Sequence, residues 1–319
     1  MTNRLPRIAL LLLLITLPVS AQHNAPIKEQ NIRAELGFLA SDAMQGRGSG
    51  TGYERIAAEY IGSQFRQFGL EPGGDTDSAG NKDYVQQVPA TERSKATWNA
   101  IGVLKGSQPG EAIMLSAHLD HLGVNESLTG DKIFNGADDD ASGSVAVLEL
   151  ARVLAAGKQP RRTIYFVCFG SEERGGYGSR YFIANPPIPL PQFVANLTFE
   201  MLGRPDEKVP AGKLWLTGFE RSTLGPELAR QGAALVADPH PEQNFFRRSD
   251  NYPLALRGVI AHTVSSFGLH SDYHRPSDDI SKIDFPFMTR SLNSLVKPVQ
   301  WLANSTFRPE WLPGQAPTR

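Results

Sequence analysis

The segment Gly170-Ser171-Glu172-Glu173-Arg174-Gly175-Gly176 directly follows an apolar run, Thr163–Phe169, that is typical of a buried β-strand. Side chains at the end of such a strand project into the crevice in which open α/β sheets bind ligands. Two adjacent carboxylates at that position would repel each other at neutral pH unless they share a proton or a cation. The segment therefore predicts an α/β fold with a metal site at one edge of its sheet.

Further residues of the kinds that bind metals stand in four other segments. They are His118 and Asp120, the run Asp138-Asp139-Asp140, Glu200 after the apolar run Phe193–Phe199, and Asp272-Tyr273-His274. Imidazole and carboxylate ligands without thiolates suit catalytic Zn²⁺. Because the carboxylates outnumber the needs of one ion, we expect two zinc ions that share a bridging carboxylate and hold a water molecule between them.

Strand and helix patterns alternate along the chain. We predict strands over 112–117, 163–169, 193–199, 213–217 and 258–264, and helices over 53–68, 142–154, 178–184, 224–235 and 287–302. This alternation is typical of an α/β fold, here a three-layer α/β/α sandwich with a mixed, largely parallel central sheet.

The first residues have the features of a signal peptide. Arg4 and Arg7 precede an apolar run over 8–17, and small residues at 19–21 offer a cleavage site before Gln22. We therefore predict a signal peptide at residues 1–21 and a periplasmic or secreted protein. Residues 22–319 are predicted to form one catalytic domain, with a flexible, proline-containing tail over 308–319.

Composition narrows the classes of partner. The formal net charge is −1 and basic residues form no block, which argues against nucleic acid or an anionic membrane as a partner. We expect no membrane association once the signal peptide is removed. Cys168, the single cysteine, stands in an apolar strand and is predicted to be a buried, inert thiol.

Five ordered motifs resemble those of the co-catalytic di-zinc aminopeptidases, peptidase family M28, related to bacterial leucyl aminopeptidase and glutamate carboxypeptidase. The motifs are His118-x-Asp120, Gly136 to Gly143, Glu172-Glu173-x-Gly175-x-x-Gly178-Ser179, Asn196 to Arg204, and Asp272-Tyr273-His274-x-x-x-Asp278. The resemblance extends from about Leu36 to about Leu302. It implies the phosphorylase/hydrolase-like zinc peptidase fold, without room between Val85 and Asn99 for the protease-associated insert of some relatives.

The resemblance also implies a set of metal ligands. Asp139 would bridge both zinc ions, His118 and Glu200 would complete one site, and Glu173 and His274 would complete the other. Position 200 is Glu where the family more commonly has Asp, so one zinc ion instead of two is an alternative.

Other residues acquire roles around these ligands. Glu172 matches the general base, which takes a proton from the bridging water and delivers it to the leaving amine. Tyr273 either polarises the scissile carbonyl or simply packs, and Asp120 is expected to hydrogen-bond the ring of His118. The family has a cis peptide bond that would here join Asp139 to Asp140. We expect the side chain of Asp140 to lie beside the ligands. Asp250 either holds a ligand loop or lies in a solvated turn.

The predicted function is an exported zinc aminopeptidase that acts on peptides with a free N-terminus. One alternative is an acyltransferase like the single-zinc glutaminyl cyclases, and another is a non-catalytic binding protein on the same scaffold. A structural calcium site at the three Asp residues would not use the histidines well. His121 could be an extra ligand or a loop histidine that packs near the site, and His262 is expected in the core.

Overall fold

The computed structural model describes residues 26–318, and the predicted signal peptide at residues 1–21 lies outside them. The helices are α1 (Glu29–Leu39), α2 (Gly52–Gln67), α3 (Gly143–Ala155), α4 (Tyr177–Ala184), α5 (Leu224–Arg230), α6 (Asn251–Ala255) and α7 (Phe285–Asn304). The strands are β1 (Glu71–Pro72), β2 (Val85–Val88), β3 (Thr97–Leu104), β4 (Ala112–His118), β5 (Gly123–Val124), β6 (Ile133–Phe134), β7 (Thr163–Phe169), β8 (Phe193–Phe199), β9 (Leu214–Leu216), β10 (Leu235–Ala237) and β11 (Ala261–Ser265). Among these helices, none combines the length and the hydropathy needed to cross a bilayer.

One mixed sheet organises the fold. Its strand order is β1-β3-β7-β4-β8-β11-β9-β10, and β2 also pairs with β3. Strands β7, β4, β8 and β11 run parallel at the centre, whereas β3 and β9 join the parallel group antiparallel at either side. Helices α1, α2, α3, α5 and α7 cover one face, and α4 and α6 cover the other. The predicted α/β/α sandwich with a mixed sheet is confirmed.

Strand β7 illustrates how the sheet is buried on both faces. Ile164, Phe166 and Cys168 belong to the core under the five-helix layer, while the residues between them belong to the core under α4 and α6. A strand covered on both sides is apolar at almost every position, which is the pattern that the sequence shows. Burial raises the pKa of the Cys168 thiol to about 12, so this cysteine is protonated at neutral pH.

The helix predicted over Leu224–Leu235 is too long. Helix α5 ends at Arg230, and Gly232 then adopts a φ of 100°, a conformation that L residues rarely adopt and that ends the helix. The apolar residues that continue the pattern instead begin strand β10, which pairs with β9. The prediction therefore merged a short helix with the strand that follows it.

The predicted flexible tail is wrong for residues 310–312. The N–H of Thr223 donates to the carbonyl of Glu310 at 3.0 Å, and the N–H of Leu312 donates to the carbonyl of Arg221 at 2.8 Å. The ring of Trp311 also packs against His262, with 5.3 Å between ring centroids. Partial burial of this aromatic ring and the two main-chain hydrogen bonds hold a segment whose proline content suggested mobility.

Glu35 on α1 predicts an unusual pH dependence of stability. It is 7% exposed, and burial together with the charge of Glu149 raises its pKa to about 9. Between pH 4.5 and 9 the folded carboxyl group keeps a proton that the unfolded chain has lost, so its contribution to stability falls as pH rises.

We expect Glu35→Gln to stabilise the protein at pH 8 by about 1–3 kcal/mol relative to wild type and to change stability much less at pH 5. Urea unfolding at both pH values measures the difference. Glu29→Gln, an exposed substitution on the same helix, is the control. A gain of equal size at both pH values would contradict the role assigned to this carboxyl group.

Candidate metal centre

The parallel strands bring three ligand segments to one edge of the sheet. His118 ends β4 and pairs in register with Phe169, the last residue of β7, so the Glu172-Glu173 loop begins beside it. Strand β8 runs parallel to β4, with Thr198 opposite Ser116, and Glu200 follows its last residue. The carboxyl ends of these strands thus form the crevice that the sequence predicts.

The ligand atoms predicted from the sequence converge around Asp139. His118 Nε2 lies 3.2 Å from Asp139 Oδ1, and His274 Nε2 lies 3.2 Å from both Asp139 Oδ2 and Glu173 Oε2. Ligand atoms of His118, Asp139 and Glu200 all lie within 4.8 Å of one another. Two atoms bound to one tetrahedral zinc at about 2.1 Å are roughly 3.4 Å apart, so the observed spacings fit that ion. One oxygen of Asp139 thus faces His118, and the other faces His274.

Unpartnered polar atoms support a metal at this position. Within residues 26–318, His118 Nε2, His274 Nε2 and Glu173 Oε1 are buried and have no hydrogen-bond partner. His118 Nδ1 donates to the main-chain oxygen of Asp120 at 3.1 Å, so Nε2 is the ring nitrogen that faces the carboxylate of Asp139. Buried polar atoms normally have partners, because an unsatisfied atom costs about 1–3 kcal/mol. A divalent cation would partner all of these atoms.

The loop that carries Glu172 is held by a buried acid from α2. Glu54 is fully buried, and its Oε1 accepts hydrogen bonds from the N–H of Ser171 at 2.9 Å and from the hydroxyl of Thr97 at 2.6 Å. A Cβ atom at Gly170 would lie 2.3 Å from Thr97 Oγ1, so only glycine allows this approach. Glu54 therefore fixes the start of the Glu172 loop.

Asp120 contacts the ring of His118 through its main chain. Its carboxylate lies 3.6 Å from His118 Nδ1, and the ring bonds the main-chain oxygen of Asp120 instead. The carboxylate accepts hydrogen bonds from the hydroxyl of Ser49 and, at 3.0 Å, from the N–H of Glu172. Asp120 thus joins the two segments without orienting the imidazole through its carboxylate.

Asp140 ties three ligand segments together. Its carboxylate accepts hydrogen bonds from the N–H groups of His118 at 3.1 Å, Gly143 at 3.0 Å and Met201 at 3.1 Å. The peptide bond between Asp139 and Asp140 is cis, as the resemblance implies. Asp140 therefore supports the ligands from behind, in agreement with its predicted place.

The loop of His274 is joined to Asp139 through Asp278. The carboxylate of Asp278 accepts hydrogen bonds from the N–H groups of Asp138 and Asp139, both at 3.1 Å. Arg204 lies 3.3 Å from Asp278 and 2.7 Å from Asp272, and it links this loop to the end of β8. The C-terminal ligand is thereby positioned by main-chain contacts to the central one.

An aromatic pocket adjoins the ligands. Trp215, Phe245 and Phe267 form a small apolar cluster beside Met201, and all four line the same pocket as Glu172 and Tyr273. The ring of Tyr273 stacks on His274 with 3.9 Å between centroids. Tyr273 therefore packs, and its proposed catalytic role stays a prediction.

Burial dominates the electrostatics of the pocket. It raises the pKa of Glu172 well above its ordinary value, with further contributions from Glu200 and Asp250. It also raises the pKa of Glu200 to about 7 and that of Asp250 to about 6. Asp250 is only 2% exposed, so the solvated turn weighed from the sequence is wrong for this residue. The site is a buried concentration of acidic groups.

Two supporting residues were given no role by the sequence analysis. Arg47 is 1% exposed, and its guanidinium donates to the carbonyls of Leu119, Leu39, Asn135 and Gly136. The second is the buried Glu54 described above. Glu54 stands on the inward face of a helix and Arg47 follows a glycine. Neither feature identifies the groups that these side chains bond.

The profile of peptidase family M28 matches residues 99–297 of this sequence. The chain belongs to peptidase family M28. The matched range contains each of the predicted metal ligands. Zinc also appears in the names of several similar proteins, in accord with the imidazole and carboxylate ligands of the site.

The relatives with similar sequences match only part of the chain. Leupeptin-inactivating enzyme 1 of Streptomyces exfoliatus is 29% identical over 181 residues, which cover 55% of this chain and 36% of that protein. The aminopeptidase of Pseudomonas aeruginosa is 31% identical over 122 residues, which cover 37% of this chain and 20% of that protein. The chain therefore spans well under half the length of these curated relatives.

Solved structures share the M28 fold of this chain over most of its length. The zinc aminopeptidase of Bacillus subtilis superposes with a TM-score of 0.67 at 17% identity, covering 88% of this chain and 96% of that one. The glutaminyl cyclase of Porphyromonas gingivalis superposes with a TM-score of 0.66 at 18% identity, covering 87% and 100%. One fold thus carries both chemistries, and the site residues must distinguish them.

Proposed function

We propose that this protein is a zinc-dependent aminopeptidase that removes N-terminal residues from peptides and uses two zinc ions. We further propose that it is exported, because its first residues have the pattern of a signal peptide. The observation that carries the proposal is the convergence on one pocket of His118, Asp139, Glu173, Glu200 and His274, with Glu172 beside them.

Each side chain has a distinct task in this proposal. Asp139 would be shared between the two ions, with His118 and Glu200 at one and Glu173 and His274 at the other. When bound, zinc lowers the pKa of a water molecule and polarises the scissile carbonyl. Glu172 accepts the proton of the attacking water and returns it to the leaving nitrogen. The N–H of Glu172 donates a hydrogen bond to the carboxylate of Asp120, which holds the main chain of Glu172 in place.

The pocket supports a preference for apolar N-terminal residues. Trp215, Phe245 and Phe267 offer an apolar wall, whereas Glu172 and Glu200 would attract a free α-ammonium group. A blocked N-terminus lacks that charge. We therefore expect leucyl and phenylalanyl substrates to be cleaved faster than aspartyl ones, and N-acetylated substrates to be poor.

Removal of the metal tests the proposal directly. Incubation with a chelator is expected to abolish the hydrolysis of leucyl-p-nitroanilide, because the water and the carbonyl lose their activating cation. Added Zn²⁺ is expected to restore it, and metal analysis of the purified protein is expected to give two zinc ions per chain. Hydrolysis that survives complete removal of metal would exclude this mechanism.

The same preparation separates the aminopeptidase from the glutaminyl cyclase alternative. Peptides that begin with Gln are incubated, and the products are analysed by mass spectrometry. Release of free Gln supports the aminopeptidase. Loss of ammonia with the peptide bond intact, and a single zinc per chain, would assign the protein to the cyclase reaction.

A further inference from the structure

His121 occupies a position in the metal centre that the five-ligand scheme does not use. It follows β4 by three residues and is fully buried. Its Nδ1 lies 2.8 Å from Glu173 Oε1 and 3.9 Å from Asp139 Oδ2. Ligand atoms of His121, Asp139 and Glu173 all lie within 4.8 Å of one another. The histidine thus faces the same two carboxylates as His274.

The short contact between His121 and Glu173 lacks the geometry of a hydrogen bond. Within the described part of the chain, His121 Nδ1, His121 Nε2 and Glu173 Oε1 are all without a hydrogen-bond partner. Two such atoms, close together and each with a lone pair to offer, suit the coordination of one shared cation. Ordinary packing would leave a buried imidazole with both nitrogens unsatisfied, which is rare in native structures.

The surrounding backbone holds this residue and packs closely against its ring. The N–H of His121 donates to the carbonyl of Arg47 at 3.1 Å, and its own carbonyl accepts from Ser49 at 3.3 Å. Gly136 has a φ of 57°, and a Cβ atom there would lie 2.6 Å from the ring carbon Cγ of His121. Only glycine at position 136 therefore allows the loop that leads to Asp139 to approach this imidazole so closely.

The rings of His121 and His274 lie edge to face, 5.7 Å apart between centroids, with Glu173 between them. We infer that His121 is an additional ligand, through Nδ1, of the metal ion held by Asp139, Glu173 and His274. This inference rests on the proposed zinc centre. It gives one site two imidazoles, whereas His118 is the single imidazole of the group with Glu200. Since zinc accepts a fifth ligand, this site can hold His121 and still bind water.

The test uses nitrogen NMR of the full chain, which contains seven histidines. Protein labelled with ¹⁵N-histidine is stripped of metal and titrated with Zn²⁺. We expect three histidines to show the shift of a metal-bound nitrogen: His118 and His274 at Nε2, and His121 at Nδ1. Response of His118 and His274 alone would overturn the inference.

His121→Gln provides the matching variant, because it keeps a polar side chain at this position but removes the imidazole. We expect one of the two sites to bind zinc at least about tenfold more weakly than in the wild type. We also expect one metal-bound resonance to be lost. His262→Asn removes a buried histidine that contacts Ser222 and the carbonyl of Thr217 and none of the predicted ligands through a hydrogen bond, and it should leave both affinities unchanged. Unchanged zinc affinity in His121→Gln would also refute the inference.

These outcomes are distinguishable from failure of the proposed function. If three histidines bind zinc but wild-type protein cleaves no peptide, the aminopeptidase assignment fails while the additional ligand stands. If peptides are cleaved and only two histidines bind zinc, the additional ligand fails and the function stands.

Discussion

Glu172→Gln is expected to lower kcat/KM for peptide hydrolysis by about 10²- to 10⁴-fold, the usual contribution of general acid–base catalysis. The amide keeps the size of the side chain but cannot accept the proton of the attacking water. Glu172 is not among the ligand groups around Asp139, so zinc content should stay at the wild-type value. Steady-state kinetics and metal analysis on the same preparation measure both quantities.

Two controls make this result specific. Glu173→Gln removes a charge one residue away but alters a predicted ligand, so it should lower zinc content as well as activity. Glu59→Gln, an exposed substitution on α2, should change neither. Full activity in the Glu172→Gln protein would remove this residue from the role of base.

The strands that carry the site could be predicted because their sequences are apolar and end abruptly in charged residues. The predicted bounds of β7 and β8 match the structure, and β4 differs only by the inclusion of His118. Parallel strands place such ends at one edge, so adjacency of His118, Glu172 and Glu200 followed from topology.

Strand β3 escaped prediction because it contains buried polar residues. Asn99 Oδ1 accepts a hydrogen bond from the N–H of Gly170 at 3.0 Å, and its amide donates to Gln86 and to the carbonyl of Gly178. Thr97 is committed to Glu54. These contacts support the Glu172 loop, so the polarity that hides the strand also serves the site.

The ligand set could be predicted, but much of its support could not. Arg47 and Glu54 lie far from the ligands in sequence and act through main-chain atoms, which any residue type supplies. Asp120 is a similar case. The sequence analysis placed it beside His118, but its carboxylate accepts a hydrogen bond from the main-chain N–H of Glu172, which no sequence pattern indicates. Side chains that bond the backbone leave no complementary residue to search for.

Arg47→Met is expected to destabilise the fold by about 3–5 kcal/mol, the usual cost of removing one partner from a buried charged network. The guanidinium donates to four carbonyls, at 2.9 Å to Leu119, 2.6 Å to Leu39, 2.7 Å to Asn135 and 3.0 Å to Gly136. Methionine fills a similar volume but leaves these acceptors without donors. It also removes the positive charge beside Asp120, Asp139 and Asp140.

Urea unfolding in the presence of a chelator measures this loss without the contribution of bound metal. In excess Zn²⁺ part of the stability should return, because an ion that binds only the folded state shifts the equilibrium toward it. Arg55→Met on α2, which removes an exposed arginine 3.5 Å from Glu59, should change stability by less than about 0.5 kcal/mol. If Arg47→Met lowers the free energy of unfolding no more than Arg55→Met does, the four carbonyls must find other donors. Arg47 would then not hold the segments of the site together.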